Sequence, residues 1–331
     1  METAREVLVA LARRYAFGDL AQLATAGVLS ADAAPAVAAL CAFGQRVLDL
    51  DAEDFGMPEA VGDVPRELLN RARASRMPQT PREQPRGALA TLHPAYALLM
   101  EVIEIRWRRH ELAPLVAAVH IAGEYLPLLA WQPVLGHAAD PARLAAAVTG
   151  PDSRFGVPFE PGAPRMCDHT RPQQSAAERA LRVAGEPPEG WRAYLDRLHS
   201  HVAGALGVCA AECRTPCSVM TRLASEIRAD LTARCRLAEE FAGGALVRLR
   251  HAAPVGHGFG VPSGDEVLEA WARTRSSLRH HELGRKALAG ADADPYPLPG
   301  LPALFSEIAT VEIIPDTLLA DVASRVAALI G

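Results

Sequence analysis

The stretch HPAYALLMEVIEIRWRRHELAPLVAAVHIAGEYL, from His93 to Leu126, decides the fold class. Residues 93–109 carry a strong helical pattern, and Pro94 falls in the first turn, where a proline costs nothing. A second helix starts near Leu112 and runs to about Leu126, where Pro127 is expected to disturb it. Two long apolar helices in succession, with no alternating strand pattern between them, make a helical core.

The composition agrees. Of 331 residues, 63 are alanine, the best helix former, and half of all residues are hydrophobic while 17 are aromatic. The length provides ample material for a buried core in one large domain or two moderate ones. The formal net charge of −5 argues against nucleic acid as a partner. Lys286 is the one lysine against 33 arginines, which we read as the codon bias of a GC-rich genome. No uncharged run reaches the roughly 18–20 residues of a membrane span, so no membrane is expected. The N-terminus lacks a signal peptide's apolar core, and six cysteines are too few for a disulfide scaffold. The expected compartment is the reducing cytoplasm.

Outward from the central helices, residues 1–50 read as two or three helices. The Pro-punctuated stretch 51–86 reads as a loop around one short helix, Arg66–Arg73. Residues 151–174 hold seven prolines or glycines and form a second loop. The longest helical signal is about 189–213, followed after Pro216 by a helix to about Phe241. Residues 243–265 form a third loop, and helices at 265–284 and 315–330 close the chain. Val311-Glu312-Ile313-Ile314 is the one candidate strand. The expected organisation is a single domain over 1–331, with N-terminal helices and loop at 1–86 and a core at 87–331. Long loops in compact domains are often lids or binding loops.

Four groups of residues could carry chemistry. Cys209, Cys213 and Cys217 are spaced for a metal site only poorly and read as buried packing thiols. Glu101, Glu104, His120 and Glu124 include carboxylates and a histidine on two helices, but lack the Glu-x-x-His pairs of a di-iron centre. His199 and His201 lie mid-helix, and Gly204 and Ala205 follow His201 at i+3 and i+4. Such a bare surface suits the approach of something flat, as a porphyrin is. His93 opens its helix and is either an N-terminal cap or a group projecting into a cavity. One ligating and one free histidine would give a heme an axial base and an acid–base group on the opposite face.

Several segments resemble one family. His120-Ile-Ala-Gly-Glu124-Tyr125-Leu-Pro-Leu-Leu-Ala-Trp131-Gln-Pro-Val-Leu-Gly136-His137-Ala-Ala-Asp140 looks like the heme-dependent L-tyrosine 3-hydroxylases of antibiotic biosynthesis. Those pathways make 4-alkylproline-type units. Cys167-Asp-His-Thr-Arg-Pro, the Cys209–Thr221 segment and Gly256-His257-Gly-Phe259-Gly-Val-Pro-Ser263 fit the same pattern. The resemblance covers roughly residues 90–320. It implies an all-α bundle of the tryptophan 2,3-dioxygenase-like type with long Pro/Gly loops. It also implies a heme b and hydroxylation of L-tyrosine at ring C3 to L-DOPA with hydrogen peroxide.

Carried residue by residue, the resemblance places the axial ligand on His201, with His199 second, and the distal acid–base group on His93. Gly204 and Ala205 would face the heme, and His120, Glu124, Tyr125, Trp131, His257 and Phe259 would wall the substrate pocket. A related hydroxylase attaches its heme through His-x-x-x-Cys. No cysteine here has a histidine four residues before it, so no covalent link is expected. L-tyrosine and hydrogen peroxide are the expected partners, and a homodimer is compatible with the sequence. The rival readings are a non-heme di-iron oxygenase and a non-catalytic helical interaction protein. The lack of internal repeats speaks against a solenoid.

Overall fold

The computed structural model describes residues 2–51, 64–80, 83–140, 143, 207, 223–252 and 260–331. The described residues are all-α. The helices are α1 (Glu2–Arg13), α2 (Phe17–Thr25), α3 (Ala34–Leu48), α4 (Arg66–Ser75), α5 (His93–Arg108) and α6 (Leu112–Leu135). They continue with α7 (Ser225–Ala242), α8 (Ala245–Arg248), α9 (Gly264–Leu278), α10 (Glu282–Ala287), α11 (Leu301–Ala309) and α12 (Leu318–Ile330). No strand occurs among the described residues, and 311–316 is irregular. Ile313 there is buried, and its N–H donates to Ser306 Oγ at 2.9 Å. A side-chain partner thus takes the place of the sheet neighbour that its β-branched sequence suggested.

The fold is organised around α6, which packs against α5, α7, α8 and α11. Pro127 does not end this helix. It continues through Pro127 and Pro133 to Leu135 and stops at Gly136, whose φ of 74° suits the left-handed cap. An interior proline costs about 3 kcal/mol. Burial of Leu126, Leu128, Leu129 and Trp131, each with no measurable exposure, offsets that at about 1.5–3 kcal/mol per side chain. Arg234 on α7, itself buried, adds a donor to this segment, reaching Ala130 O at 2.6 Å. With a mean hydropathy of 1.5, α6 is also long and apolar enough to cross a membrane, because Glu124 is its one carboxylate. Just over half of that apolar window, 56%, is buried inside the fold.

A relay of edge-to-face rings ties the surrounding helices together. Tyr96 meets Phe305 at 5.0 Å, Phe305 meets Phe241 at 5.5 Å, and Phe241 meets Trp271 at 6.4 Å. Helices α5, α11, α7 and α9 therefore share one aromatic core. The Tyr96 hydroxyl donates to Ala122 O on α6 at 2.5 Å, so the buried phenol is satisfied.

The C-terminal helix α12 packs on α1, α3 and α4, bringing the two ends of the chain together. Its N-terminus is capped from α5. Buried Glu101 accepts the N–H groups of Leu319 at 3.1 Å and Ala320 at 3.0 Å. Arg71 on α4 pairs with Asp316 and with Asp321 on the same junction. Other boundaries also moved from their expected places. Residues 243–265 include α8 and a 3-10 turn at Leu249–Ala252, α11 was not anticipated, and the expected helix at 265–284 breaks between α9 and α10.

Candidate functional site

His93 sits where α5 begins, beside the last turns of α6. The approach is shaped by a 3-10 turn at Gly87–Leu89. Gly87 has φ +52°, and a Cβ there would lie 2.2 Å from Arg76 O, so the turn needs glycine. The turn is fastened to the end of α6 from below. Arg86 and Asp140, both buried, form a bidentate pair at 2.8 and 2.9 Å, and Ala138 N–H donates to Leu89 O at 3.2 Å. His137 completes this layer by accepting the Asp140 N–H at Nδ1 across 2.9 Å.

The second fastening is Gln132, a buried amide in an otherwise apolar part of α6. Its Oε1 accepts the Leu92 N–H at 2.9 Å, and its Nε2 donates to Thr91 Oγ1 at 2.7 Å. A backbone N–H can only donate, so the Leu92 contact orients the amide. The Nε2 group then faces His93 Nε2 at 3.1 Å. His93 Nε2 must be the acceptor, and the neutral ring carries its proton on Nδ1. Burial lowers the pKa of His93. The amide donor and the positive end of the α5 dipole act in the same direction. The imidazole is thus a neutral base with a defined tautomer.

His120 and Glu124 form a separate group. His120 Nε2 lies 2.9 Å from Glu124 Oε1, and Arg250 from the 3-10 turn after α8 approaches the same ring nitrogen. A guanidinium only donates and a carboxylate only accepts, so this one nitrogen stands between two groups that ask opposite roles of it. Burial lowers the pKa of His120; Glu124 opposes that shift, and Arg250 and His251 add to it. Twelve residues of α6 separate His120 from Gln132, about 18 Å of helix rise. His120 and Glu124 thus lie well along α6 from the residues that meet His93. Tyr125 is half-buried against the core, and Trp131 is fully buried within it.

The di-iron set does not converge. Glu101 caps α12, Glu104 pairs with Arg108 one turn on, and His120 holds Arg250. Among the described residues no three His, Cys, Asp or Glu side chains come together as a metal site. Buried His137 and half-buried His93 and His120 also have partners within the protein. Nε2 of His93 faces Gln132, Nε2 of His120 lies between Arg250 and Glu124, and Nδ1 of His137 takes the Asp140 N–H. Cys41 and Cys235 are buried, and burial pushes both thiols up to about 12, so neither is a thiolate near neutrality.

His199, His201, Gly204, Ala205, His257 and Phe259, with the cysteines at 167, 209, 213 and 217, lie outside the described residues. Gly207, from the expected 189–213 helix, is described. It is helical and buried, and a Cβ added to it would lie 3.2 Å from Glu239 Oε1 on α7. Gln132, Arg86 and Asp140 were not among the candidate residues. The signal for Gln132 was available, an amide between Trp131 and Pro133 in an apolar helix. The Arg86–Asp140 pair spans 54 positions and left no trace in spacing. In comparisons with known proteins, no family model, no curated protein and no solved structure matches this chain.

Proposed function

We propose that the protein is a heme-dependent hydroxylase that uses hydrogen peroxide to convert L-tyrosine to L-DOPA, in the biosynthesis of 4-alkylproline-type natural products. The proposal starts from the resemblance of residues 90–320 to that family. The observation that supports it is His93, a neutral imidazole held in one tautomer at the end of a core helix. Such a group accepts a proton near neutral pH without first having to lose one. The overall reaction balances as tyrosine plus hydrogen peroxide giving L-DOPA plus water.

The donor set is consistent with this division of labour. Among the described residues His93, His120 and His137 each meet a protein partner at a ring nitrogen, and burial keeps the Cys41 and Cys235 thiols protonated. The resemblance puts iron ligation on His201, with His199 second, and Gly204 and Ala205, three and four positions on, would leave room beside it. When bound, the heme would activate hydrogen peroxide, which is the two-electron oxidant of the ring. His93 takes the proton that peroxide or the phenol gives up, after its Nε2 exchanges the Gln132 donor for that proton. Gln132 remains anchored by Leu92 N–H and returns the ring to its resting position.

A visible absorption spectrum of the purified protein tests the reading. A Soret band is expected, lost in His201→Ala and kept in His93→Ala, with turnover lowered in the second variant. A colourless protein that takes up no added hemin would end the proposal. So would a Soret band that survives both His201→Ala and His199→Ala.

A further inference from the structure

Three successive residues hold one buried amide. Thr91 Oγ1 accepts a hydrogen of Gln132 Nε2 at 2.7 Å, the Leu92 N–H donates to Gln132 Oε1 at 2.9 Å, and His93 Nε2 faces Gln132 Nε2 at 3.1 Å. Thr91 Oγ1 also accepts the backbone N–H of His93 at 3.3 Å. Both partners of this oxygen can only donate, so it accepts twice. Gln132 is buried, whereas Thr91 and His93 are half-buried.

The terminal torsion of a glutamine is broad, so one hydrogen bond holds the amide plane only loosely. The Leu92 contact decides which way round the amide stands. The Thr91 contact grips its other arm and is the shortest of the three. An amide nitrogen carries two hydrogens, and with one spent on Thr91 the second is directed at the imidazole. We infer that Thr91 is a positioning residue for His93: by holding one hydrogen of the Gln132 amide it aims the other at His93 Nε2, and so keeps the neutral ring in its Nδ1–H form. The Thr91 contact to the His93 backbone is an ordinary hydrogen bond of a helix start and bears on the stability of α5 alone. The contact to Gln132 bears on the ring, because the aimed hydrogen occupies the lone pair that a proton would take. The consequence for catalysis rests on His93 being the base of the proposed hydroxylase; the tautomer of the ring does not.

Nitrogen NMR of the labelled full chain tests it. Above its titration midpoint, His93 of the wild type should show the Nδ1–H tautomer. Thr91→Val keeps the shape of the side chain and removes the acceptor. It should bring in the Nε2–H tautomer and raise the His93 midpoint by about half a pH unit, the scale of one weakened hydrogen bond. Thr91→Ser should restore both, and Thr91→Ala should repeat the loss in a second variant with unchanged helical circular dichroism. In a Gln132→Leu background, Thr91→Val should move neither quantity, because the amide through which it acts is gone. Unchanged tautomer and midpoint in Thr91→Val and Thr91→Ala, or equal shifts with and without Gln132, would overturn the assignment. A protein that binds no heme would end the hydroxylase reading and leave these shifts as expected.

Discussion

Gln132 donates its amide N–H to His93 Nε2 across 3.1 Å while its carbonyl accepts the N–H of Leu92 at 2.9 Å. One side chain of α6 thereby caps the start of α5, orients the imidazole and sets its protonation. The coupling between the cap and the base means that the two can be separated by substitution.

Gln132→Leu leaves the buried Leu92 N–H without an acceptor and should cost about 1–3 kcal/mol in urea unfolding. Gln132→Glu keeps an acceptor for Leu92 but faces His93 with a carboxylate. Its expected result is a rise in the His93 pKa, followed by NMR titration of the ring. An unchanged His93 titration in Gln132→Glu would separate the amide from the base.

The pH dependence of stability has two opposed parts. Burial is the largest cause lowering His93, His120 and His137 in the folded protein. The unfolded chain then binds more protons at these sites, so their contribution is complete above pH ~6.5 and is lost as pH falls through the lowered values. Glu101 acts the other way. Burial raises it to about 7, against the two backbone N–H groups that favour its charged form. Its charge disfavours folding as pH rises from about 4.5 towards 7. Glu101→Gln should remove this second component, so that stability measured between pH 4.5 and 7 climbs more steeply than in the wild type.

Glu101→Ala removes both acceptors from the N-terminus of α12 and should cost about 1–3 kcal/mol. The loss should appear first as faster amide exchange at Leu319 and Ala320. Equal protection of these amides in the variant and wild type would show that the Arg71 ion pairs hold α12 without the cap.

Arg86 and Asp140 should behave as a unit. Arg86→Leu strands a buried carboxylate and is expected to cost about 3–5 kcal/mol. The double substitution with Asp140→Leu should recover much of that loss, because it removes both desolvated charges. Additive losses in the double-mutant cycle would sink this account.

Phe305 is the centre of the ring relay, touching both Tyr96 and Phe241. Phe305→Ala should destabilise by about 3–5 kcal/mol, and Phe305→Leu by much less, in thermal or urea unfolding. A loss below about 1 kcal/mol for the alanine variant would mean that the core refills the cavity.

The helical class was legible in the amino acids alone, since alanine content and the 93–126 pattern act through local propensity and burial periodicity. The sequence located α4, α5 and α12 to within a few residues, placed two or three helices in residues 1–50 without bounds, and selected His93 as a group at a helix start. The passage of α6 through Pro127 and Pro133 needed the folded molecule, because the packing that offsets a missing N–H comes from distant helices. The fold alone paired Arg86 with Asp140 and placed Gln132 against His93. It also set His120 and Glu124 beside Arg250, about 18 Å along α6 from the His93 contact. Spacing along one helix specifies which residues share a face. It carries no information about the side chain that another element brings to that face, and that partner is what makes a histidine a base, a ligand or a structural acceptor.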